Sequence, residues 1–366
     1  MKKPIDTPFL LVLSVLVVSG LLIFTSAALS LLAQDGGASF SSVTISQVLL
    51  GLVCGGILLV FFARIDYRIW KRYSPYIFAA GIVLCLLPFV PHVGLHLKGA
   101  ARWIVIGPLS FQPAETMKFA AIMFLAAIYS SRLKVTNTWK GGILPLALIA
   151  GSSCLILLIQ PDTASAAIIG MSAVIMLFAA GGRMTHLLIL LAIGMLVIAG
   201  AAFKYSYVAD RIQTFIHQEA DPLGAGYQIQ QSLIAVGSGG LTGRGFGQSI
   251  EKFSYLPEPI GDSIFAVAGE EFGFLGSTML ILLYVGVAIL GLRIAARAPD
   301  PFGGLLVVGF TILIVGQSFF NIASTLALVP LVGVPLVFVS HGGTSLAISL
   351  AEMGVILSVS KRMKEK

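Results

Sequence analysis

The chain alternates between long apolar runs and short polar connections over nearly its whole length. A helix that crosses a bilayer needs about 20 predominantly apolar residues. Ten segments reach roughly that length and predict an all-α bundle of ten transmembrane helices: 8–32, 46–63, 74–91, 112–130, 141–159, 162–180, 185–203, 264–292, 303–327 and 343–360. The first run exceeds the roughly 7–15 residues of a signal-peptide core, so an uncleaved first span is predicted.

One polar stretch, residues 204–274, interrupts this pattern between the seventh and eighth predicted spans. Its ionisable residues are Asp210, Arg211, Glu219, Asp221, Arg244, Glu251, Lys252, Glu258, Asp262, Glu270 and Glu271. Aromatic and aliphatic residues are interleaved with these charges, which favours a folded loop over a disordered one. Long loops in compact proteins are commonly functional. We therefore predict one membrane domain spanning 1–366, with the chemistry carried by its loop 204–263.

Composition and charge agree with this arrangement. The chain is 57% hydrophobic and 11% charged, with a mean hydropathy of +0.98, whereas soluble domains are about 25% charged. Of the 23 basic residues, 16 fall on one predicted side: Lys2, Lys3, Arg64, Arg68, Lys71, Arg72, Arg132, Lys134, Lys140, Arg183, Arg293, Arg297, Lys361, Arg362, Lys364 and Lys366. By the positive-inside rule, both termini are predicted in the cytoplasm and the loop outside. The net charge of +7 then reflects topology and predicts no nucleic-acid partner.

An outward-facing site excludes several classes of function. The sequence has no G-x-x-x-x-G-K-[ST] loop and no dinucleotide fingerprint, so no nucleotide cofactor is predicted. Cys54, Cys85 and Cys154 all lie in apolar runs, without a disulfide framework or zinc spacing. Because little nucleotide is available outside the cytoplasm, an enzyme there is expected to take an activated substrate delivered on a lipid.

Two charged residues, Glu115 and Lys118, lie inside the fourth predicted span. They are three residues apart, so they share one face of a helix. Ionisable groups within a span are costly and are functional hypotheses by default, although a structural ion pair would also satisfy both charges. Upstream, Lys98, Arg102 and Trp103 alone indicate an interfacial anchor, whereas beside Glu115 and Lys118 they indicate an anion pocket.

Two further features have both a structural and a functional explanation. Asp162 stands at the predicted start of the sixth span. Helix capping and a ligand-facing role are both open there, and the two are compatible. The glycine-rich run GSGGLTGRGFG, residues 237–247, resembles a phosphate cradle only loosely, and tight packing of a membrane loop is the alternative.

Asp262 is the carboxylate that best fits a general base. Pro257 and Pro259 stiffen its approach, Gly261 leaves room around it, and an apolar span follows it. An acid where a polar loop meets apolar surroundings is suited to accept a proton from a substrate, while helix capping is the alternative. A lone His341 at the start of the last span is more often packed than catalytic.

Seven motifs together resemble the SEDS family (shape, elongation, division, sporulation). They are GAARWI (99–104), GPLSFQPAE (107–115), QPD (160–162), GYQIQQSLIAVGSGG (226–240), YLPE (255–258), DSIFAVAGEE (262–271) and residues 321–345. The stretch GQSIEKFSYLPE, residues 247–258, is more similar to the division branch than to the elongation branch. Two departures stand out. The family usually has His-Thr where this chain has Ile260 and Gly261, and it usually has Ser-Tyr-Gly-Gly-Ser-Ser at 340–345, where this chain has His341 and Thr344 in place of the tyrosine and a serine.

The resemblance implies a peptidoglycan glycosyltransferase that polymerises lipid II on the outer face of the bacterial cytoplasmic membrane, for division or shape. It places the catalytic aspartate at Asp262. It places substrate contacts at Arg102, Glu115, Lys118, Asp162, Gln231, Lys252, Glu258, Ser340 and His341. Its implied partners are a class B penicillin-binding protein transpeptidase, other division proteins, membrane lipids and polyprenyl-linked glycan. A divalent cation, Mg²⁺ or Mn²⁺, stays open as a cofactor.

On this interpretation Asp262 removes a proton from the attacking sugar hydroxyl of the acceptor. Arg102 and Lys118, or a metal ion, offset the charge on the leaving polyprenyl pyrophosphate. A flippase for lipid-linked precursors is the main alternative and predicts inverted repeats with broken helices near the midplane. No convincing repeat is visible, and the charges cluster near the outer face. A non-catalytic division scaffold is a third possibility, which the presence of Asp262 argues against.

Overall fold

The computed structural model describes residues 5–35, 38–90, 94–97, 100–106, 109–204, 206–217 and 224–363. Lys98, Glu219 and Asp221, which the sequence singled out, lie outside the described residues. The helices are α1 Thr7–Asp35, α2 Ala38–Ile45, α3 Gly55–Arg64, α4 Tyr67–Leu86, α5 Pro113–Ser131, α6 Leu144–Ile159, α7 Thr163–Ala179, α8 Met184–Lys204, α9 Ser206–Ile216, α10 Ala225–Ser238, α11 Glu251–Ser254, α12 Ile264–Ala296, α13 Pro301–Thr325 and α14 Gly343–Ser360. Within these ranges, seven helical stretches are long and apolar enough to cross a membrane.

Several membrane helices are continued by tighter or wider turns. A π-helix, Ser46–Cys54, joins α2 to α3, and a second one, Trp139–Ile143, leads into α6. A 3₁₀ turn, Leu87–Phe89, ends α4. Helix α7 and the Met184–Leu196 part of α8 are shorter apolar helices. The predicted helices therefore exist close to their expected bounds, whereas ten crossings remain a prediction.

The expected all-α class is wrong in one respect. Between α4 and α5 the chain forms an antiparallel sheet, in the order β1 Gly94–Leu97, β2 Ala100–Ile106 and β3 Leu109–Phe111. In its register Ile104 pairs with both Gly94 and Phe111. The β-branched residues of β2 favour an extended backbone, and pairing satisfies the N–H and C=O groups that an open connection would leave to water.

The core lies along α13 and α14. The membrane-length window of α14 is 94% buried, and that of α13 is 72% buried. Small residues allow the helices to approach closely, as in other membrane bundles. A Cβ at Gly354 would lie 2.5 Å from the backbone oxygen of Leu59, so α14 and α3 touch backbone to backbone.

The start of α1 and the end of α14 come together at one end of the bundle, which we call the terminal end. Arg293 at the end of α12 binds Asp6 at 2.6 Å, and the Asp6 N–H donates to Ser360 Oγ at 3.4 Å. Arg68 at the start of α4 binds Asp300, just before α13, at 3.0 Å. The turn before α12, which carries Asp262, lies at the opposite end of that helix.

Candidate active site around Asp262

Asp262 occupies the turn immediately before α12, where it is partly exposed. Its carbonyl oxygen accepts a hydrogen bond from Asn321 Nδ2 at 2.8 Å, and Thr325 Oγ1 lies at 3.5 Å. The same Asn321 amide donates to the carbonyl of Val334 at 2.7 Å. One buried side chain of α13 therefore ties the Asp262 turn to the segment that precedes α14, residues 326–342.

The residues just before Asp262 are held by that same segment. Ser340 Oγ donates to the Gly261 carbonyl at 2.8 Å, and the His341 N–H donates to the Ile260 carbonyl at 2.7 Å. Gln47, buried in the π-helix before α3, donates in turn to the Ser340 carbonyl at 3.3 Å. Ser340 and His341 therefore hold the backbone of the turn just before Asp262. Gln47 was not predicted, because a lone glutamine in a span has no specific signature.

On the other side, α10 contacts the turn through Gln228. Its Nε2 donates to Ser263 Oγ at 3.0 Å. Gln231, the predicted substrate contact on α10, lies three residues further along and is partly buried. Glu258 is exposed and has a positive φ of 50°, and its carbonyl accepts from the N–H groups of Gly261 and Ser263 at 3.0 and 3.2 Å.

The Asp262 carboxylate has a cationic neighbour that the sequence did not single out. A Cβ at Gly333, whose φ is +71°, would lie 3.3 Å from Asp262 Oδ2 and 3.6 Å from Arg211 Nη2. Arg211, on α9, also donates through Nη1 to the Val332 carbonyl at 3.0 Å. Arg211 stood in the sequence only as one of many loop charges, because nothing in its spacing links α9 to Asp262.

His341 is placed as a packed rather than a solvated histidine. Its ring stacks on Phe24 of α1, with centroids 6.1 Å apart. Its buried Nε2 has no hydrogen-bond partner among the described residues. Burial lowers the pKa of His341, and the negative charge of Glu258 opposes that shift only in part.

Glu115 and Lys118 form a buried ion pair in the bundle. Lys118 Nζ lies 2.8 Å from Glu115 Oε1 and 2.7 Å from Gln317 Oε1. Gln317 lies one helical turn before Asn321 on α13 and donates to the Pro335 carbonyl at 3.1 Å. The pair expected from the spacing is therefore present, and it is linked to the Asp262 turn through one face of α13.

A third ionisable residue, which sequence reasoning missed, joins this pair. Glu352 of α14 is 1% exposed, interacts electrostatically with Lys118 and Glu115, and has an Oε2 without a partner among the described residues. A single glutamate in an apolar span gave no spacing to connect it with α5. Its position brings an ionisable group of α14 into the bundle interior.

Asp162 caps α7, as one of the two expectations held. Its Oδ1 accepts from the Ser165 N–H at 3.1 Å. Arg102 of β2 donates through Nε to the Gln160 carbonyl at 3.0 Å and through Nη2 to the Pro161 carbonyl. The structure therefore brings Arg102 to the turn that carries Asp162, and the ligand roles predicted for both stay predictions.

Lys252 is placed differently from its predicted role as a substrate contact. The side chain is fully buried, and Nζ lies 2.6 Å from Glu271 Oε1 and 2.9 Å from Ser26 Oγ. Ser26 also donates to Glu271, at 2.6 Å. This geometry supports a structural role, because the ammonium is engaged by α12 and α1 and has no exposed surface for a ligand.

The glycine-rich loop packs against a break in α12 and does not form an open phosphate cradle. Helix α12 is interrupted at Gly273, where φ is +65°. The carbonyls of Glu270 and Glu271 accept from the N–H groups of Arg244 and Gly245 at 3.0 Å each, while the Phe274 N–H donates to the Gly240 carbonyl at 2.8 Å. The loop backbone thus satisfies the groups that the break leaves, as broken membrane helices require.

The break at Gly273 also bears on the alternative that the protein is a transporter. A broken helix is one of the features expected of a transporter, and no local pattern predicted this interruption. Loop backbone fills the break at Gly273, and Glu270 accepts from Ser249 Oγ at 2.5 Å and from the Ile250 N–H at 3.0 Å. The interruption therefore anchors the extramembrane loop, whose N–H groups occupy the carbonyls of Glu270 and Glu271.

The family comparison covers nearly the whole chain. The family model of FtsW, RodA and SpoVE, described as cell cycle proteins, matches residues 6–365. Stage V sporulation protein E of Bacillus subtilis is 39% identical over 307 residues, which is 84% of each chain. The probable peptidoglycan glycosyltransferase FtsW of Trichlorobacter lovleyi is 34% identical over 361 residues, 98% of this chain and 94% of its own.

Solved structures share the fold. A chain from a peptidoglycan synthase complex, in a structure concerned with the coordination of polymerization and crosslinking, matches with a TM-score of 0.80. It is 24% identical and covers 98% of both chains. The rod shape determining protein RodA of Thermus thermophilus matches with a TM-score of 0.69 at 24% identity over 99% of both chains.

Proposed function

Because the chain belongs to the FtsW, RodA and SpoVE family of cell cycle proteins and is FtsW-like within it, we propose that it is a peptidoglycan glycosyltransferase that polymerises lipid II. The observation that carries the proposal is the near full-length similarity to relatives named for this activity. The rigidly held turn of Asp262 supports it, because a general base must keep one position relative to the acceptor hydroxyl. The protein is an enzyme of the multi-pass membrane class.

In the proposed reaction, the acceptor hydroxyl oxygen attacks the anomeric carbon of the donor sugar. The bond from that carbon to the pyrophosphate oxygen breaks, and polyprenyl diphosphate leaves with the bonding electrons. The hydroxyl proton passes to the Asp262 carboxylate. Arg211, which also lies beside Gly333, would stabilise the negative charge that develops on the leaving pyrophosphate, since preorganised cations lower such barriers.

The proposed orientation puts this site outside and the terminal end in the cytoplasm, with ten crossings. It is supported by the basic residues of the connections, since Arg68, Arg293 and Arg362 all make ion pairs at the terminal end. Lysine and arginine are enriched in cytoplasmic loops. Lipid II would then reach Asp262 from the outer leaflet of the bacterial cytoplasmic membrane.

A divalent cation, Mg²⁺ or Mn²⁺, is part of the proposal. In the part of the chain that the structure describes, no three His, Cys, Asp or Glu side chains converge, so a cage built by the protein alone does not fit. Magnesium is often held by one or two carboxylates together with substrate phosphates, and Asp262 and Glu258 would hold it in that way. When bound, it would offset charge on the leaving pyrophosphate.

A class B penicillin-binding protein is the proposed partner, because a polymerised strand must then be cross-linked. The structural likeness to a chain of a peptidoglycan synthase complex supports an assembly of this kind. Other division proteins are proposed on the same basis as the FtsW-like membership. Polymerisation of lipid II should therefore be measured with and without such a transpeptidase.

The test uses purified full-length protein in liposomes with lipid II, scored for glycan strands on a gel. Asp262→Asn keeps the size of the side chain but cannot take a proton, and a drop of about 10²–10⁴-fold is expected. Asp210→Asn, in an exposed residue of α9, removes the same charge from the same loop and is expected to keep the parent rate. Near-parent rates for Asp262→Asn would reject the base, and no product from the parent under any condition would reject the function.

A further inference from the structure

A cleft at the terminal end belongs to no part of the site described above. It lies where α4 begins, α5 ends and α13 begins, and has a volume of about 330 Å³. Its lining residues are Arg68, Lys71, Ser130, Asp300, Pro301 and Phe302. Two of its six lining side chains are cationic, and Pro301 and Phe302 supply an apolar wall.

The one carboxylate in the cleft is already satisfied by protein donors. Asp300 Oδ1 accepts from the Gly303 N–H at 2.9 Å, capping α13. Its Oδ2 accepts from Tyr67 Oη at 2.5 Å and from Arg68 Nε at 3.0 Å. Burial alone would raise the pKa of Asp300, but these hydrogen bonds outweigh it and lower the pKa. Asp300 is therefore ionised, and protein donors occupy both of its carboxylate oxygens.

Arg68 and Lys71 are the two cations of the cleft, and Asp300 pairs with Nε of Arg68 only. Arg68 is 56% exposed and meets Asp300 through Nε, and its guanidinium carbon lies 5.7 Å from the centroid of the Tyr67 ring. Lys71, one turn later on the same face of α4, has no carboxylate within ion-pair distance among the described residues, and its ammonium lies 5.9 Å from the Phe302 ring centroid. The cleft thus carries one ammonium without a carboxylate partner among the described residues and one guanidinium that pairs with Asp300 through Nε.

We propose that this cleft binds the phosphate of an anionic phospholipid headgroup. The Arg68 fork matches two phosphate oxygens, and the Lys71 ammonium adds a point charge. Basic pockets between membrane helices on the cytoplasmic side hold such headgroups elsewhere. This end of α4 also suits the membrane–water interface, because Ile69, Tyr73 and Tyr76 are 48%, 48% and 72% exposed, and tyrosines are enriched there.

The proposal predicts a selective effect of charge. Each cation near an anionic lipid contributes about five-fold in affinity, so loss of both would weaken binding by roughly 25-fold. It does not depend on the proposed enzymatic activity, since none of these residues belongs to the site at Asp262. A soluble phosphate ester shares the headgroup chemistry but lacks acyl chains. The test must therefore distinguish binding of a lipid from binding of a soluble phosphate ester.

The test measures lipids retained by the full-length protein in native mass spectrometry after exchange into defined mixtures of phosphatidylglycerol and phosphatidylcholine. The parent is expected to keep phosphatidylglycerol selectively, and Arg68→Gln with Lys71→Gln is expected to lose that selectivity. Lys71→Gln alone leaves the Arg68–Asp300 pair intact and is expected to lower the affinity for phosphatidylglycerol about five-fold. Glycerol phosphate at millimolar concentration should not displace the lipid.

The matched control is Arg132→Gln with Lys134→Gln, which removes two exposed cations beyond the end of α5 without touching the cleft. It is expected to retain phosphatidylglycerol like the parent. Equal losses in both double variants would show a general surface attraction and overturn the proposal. It would also be overturned if the parent showed no preference between the two lipids, or if glycerol phosphate displaced the bound lipid.

Discussion

Gly333 has no side chain to contact Asp262 and Arg211, which both lie beside it. A methyl group there would lie 3.3 Å from Asp262 Oδ2 and 3.6 Å from Arg211 Nη2. We expect Gly333→Ala to displace the carboxylate and lower polymerisation of lipid II by about 10²-fold, since small misplacements of a reacting group have effects of that size. The measurement is the initial rate of glycan synthesis together with the melting temperature.

Gly240→Ala provides the control for backbone strain. Gly240 also has a positive φ, +56°, but a Cβ there meets nothing within 4 Å. Both substitutions put an L-residue in the left-handed region, which costs about 1–2 kcal/mol. The difference in rate between the two variants therefore reports the contact with Asp262 and Arg211. Equal rates would show that the position of the carboxylate does not depend on Gly333.

His341 predicts a pH dependence of stability. Burial lowers the pKa of its ring in the folded protein below the ordinary value of 6.5, so the unfolded chain binds the proton more readily. Stability is then fully present above about pH 6.5 and falls as the pH drops through that value towards the folded pKa, by at most about 1.4 kcal/mol per pH unit. The melting temperature measured from pH 7.5 to 5 should fall accordingly.

His341→Tyr, which restores the aromatic residue usual in the family, should remove this part of the pH dependence. The backbone N–H that supports Ile260 is kept in that variant. His217→Gln, at the exposed end of α9, serves as the control and should leave the pH profile as in the parent. An unchanged profile in His341→Tyr would assign the acid sensitivity to other groups.

At the scale of elements, a buried ion pair joins the loop to two membrane helices. Lys252 of α11 contacts Glu271 of α12 and Ser26 of α1. Breaking a buried pair leaves an uncompensated charge and costs about 3–5 kcal/mol. We expect Lys252→Met to lower stability by that amount and to abolish polymerisation through misfolding, as measured by thermal denaturation and the glycan assay.

Adding Glu271→Gln to Lys252→Met should recover most of the lost stability, because the amide can still accept from Ser26. If Lys252 is structural, activity should return with folding. A folded double variant without activity would instead support the substrate contact predicted from the resemblance. Lys134→Met, an exposed lysine at the opposite end, should change neither quantity.

Element existence was largely predictable, and element interruptions were not. The long apolar runs fixed the helices to within a few residues at most ends, since span length is set by the bilayer. The break at Gly273 had no local signal, because glycine is common in membrane helices and only the docked loop backbone makes φ +65° favourable there. The short strands β1 to β3 were likewise hidden in what appeared to be a connection.

At the scale of the whole molecule, the sequence identified single charged residues but not their partners. Asp262, Glu115, Lys118 and Asp162 stood out because ionisable groups are rare in such a chain. Local contacts followed from spacing, as with the pair at 115 and 118 and the cap at 162. Arg211, Asn321 and Glu352 were missed because their partners are distant in sequence, and only the packed bundle brings them together.

The orientation of the whole molecule decides which side of the membrane supplies the substrate. In a chain with Cys54, Cys85 and Cys154 replaced, we expect Gln213→Cys on exposed α9 to react with a membrane-impermeant maleimide on intact cells. Arg132→Cys, exposed after α5, should react only after permeabilisation. The basis is the concentration of arginine and lysine at the terminal end, which the positive-inside rule assigns to the cytoplasm. The reverse labelling would place Asp262 on the cytoplasmic side, where nucleotide-linked sugars are available and the argument for a lipid-linked donor no longer holds.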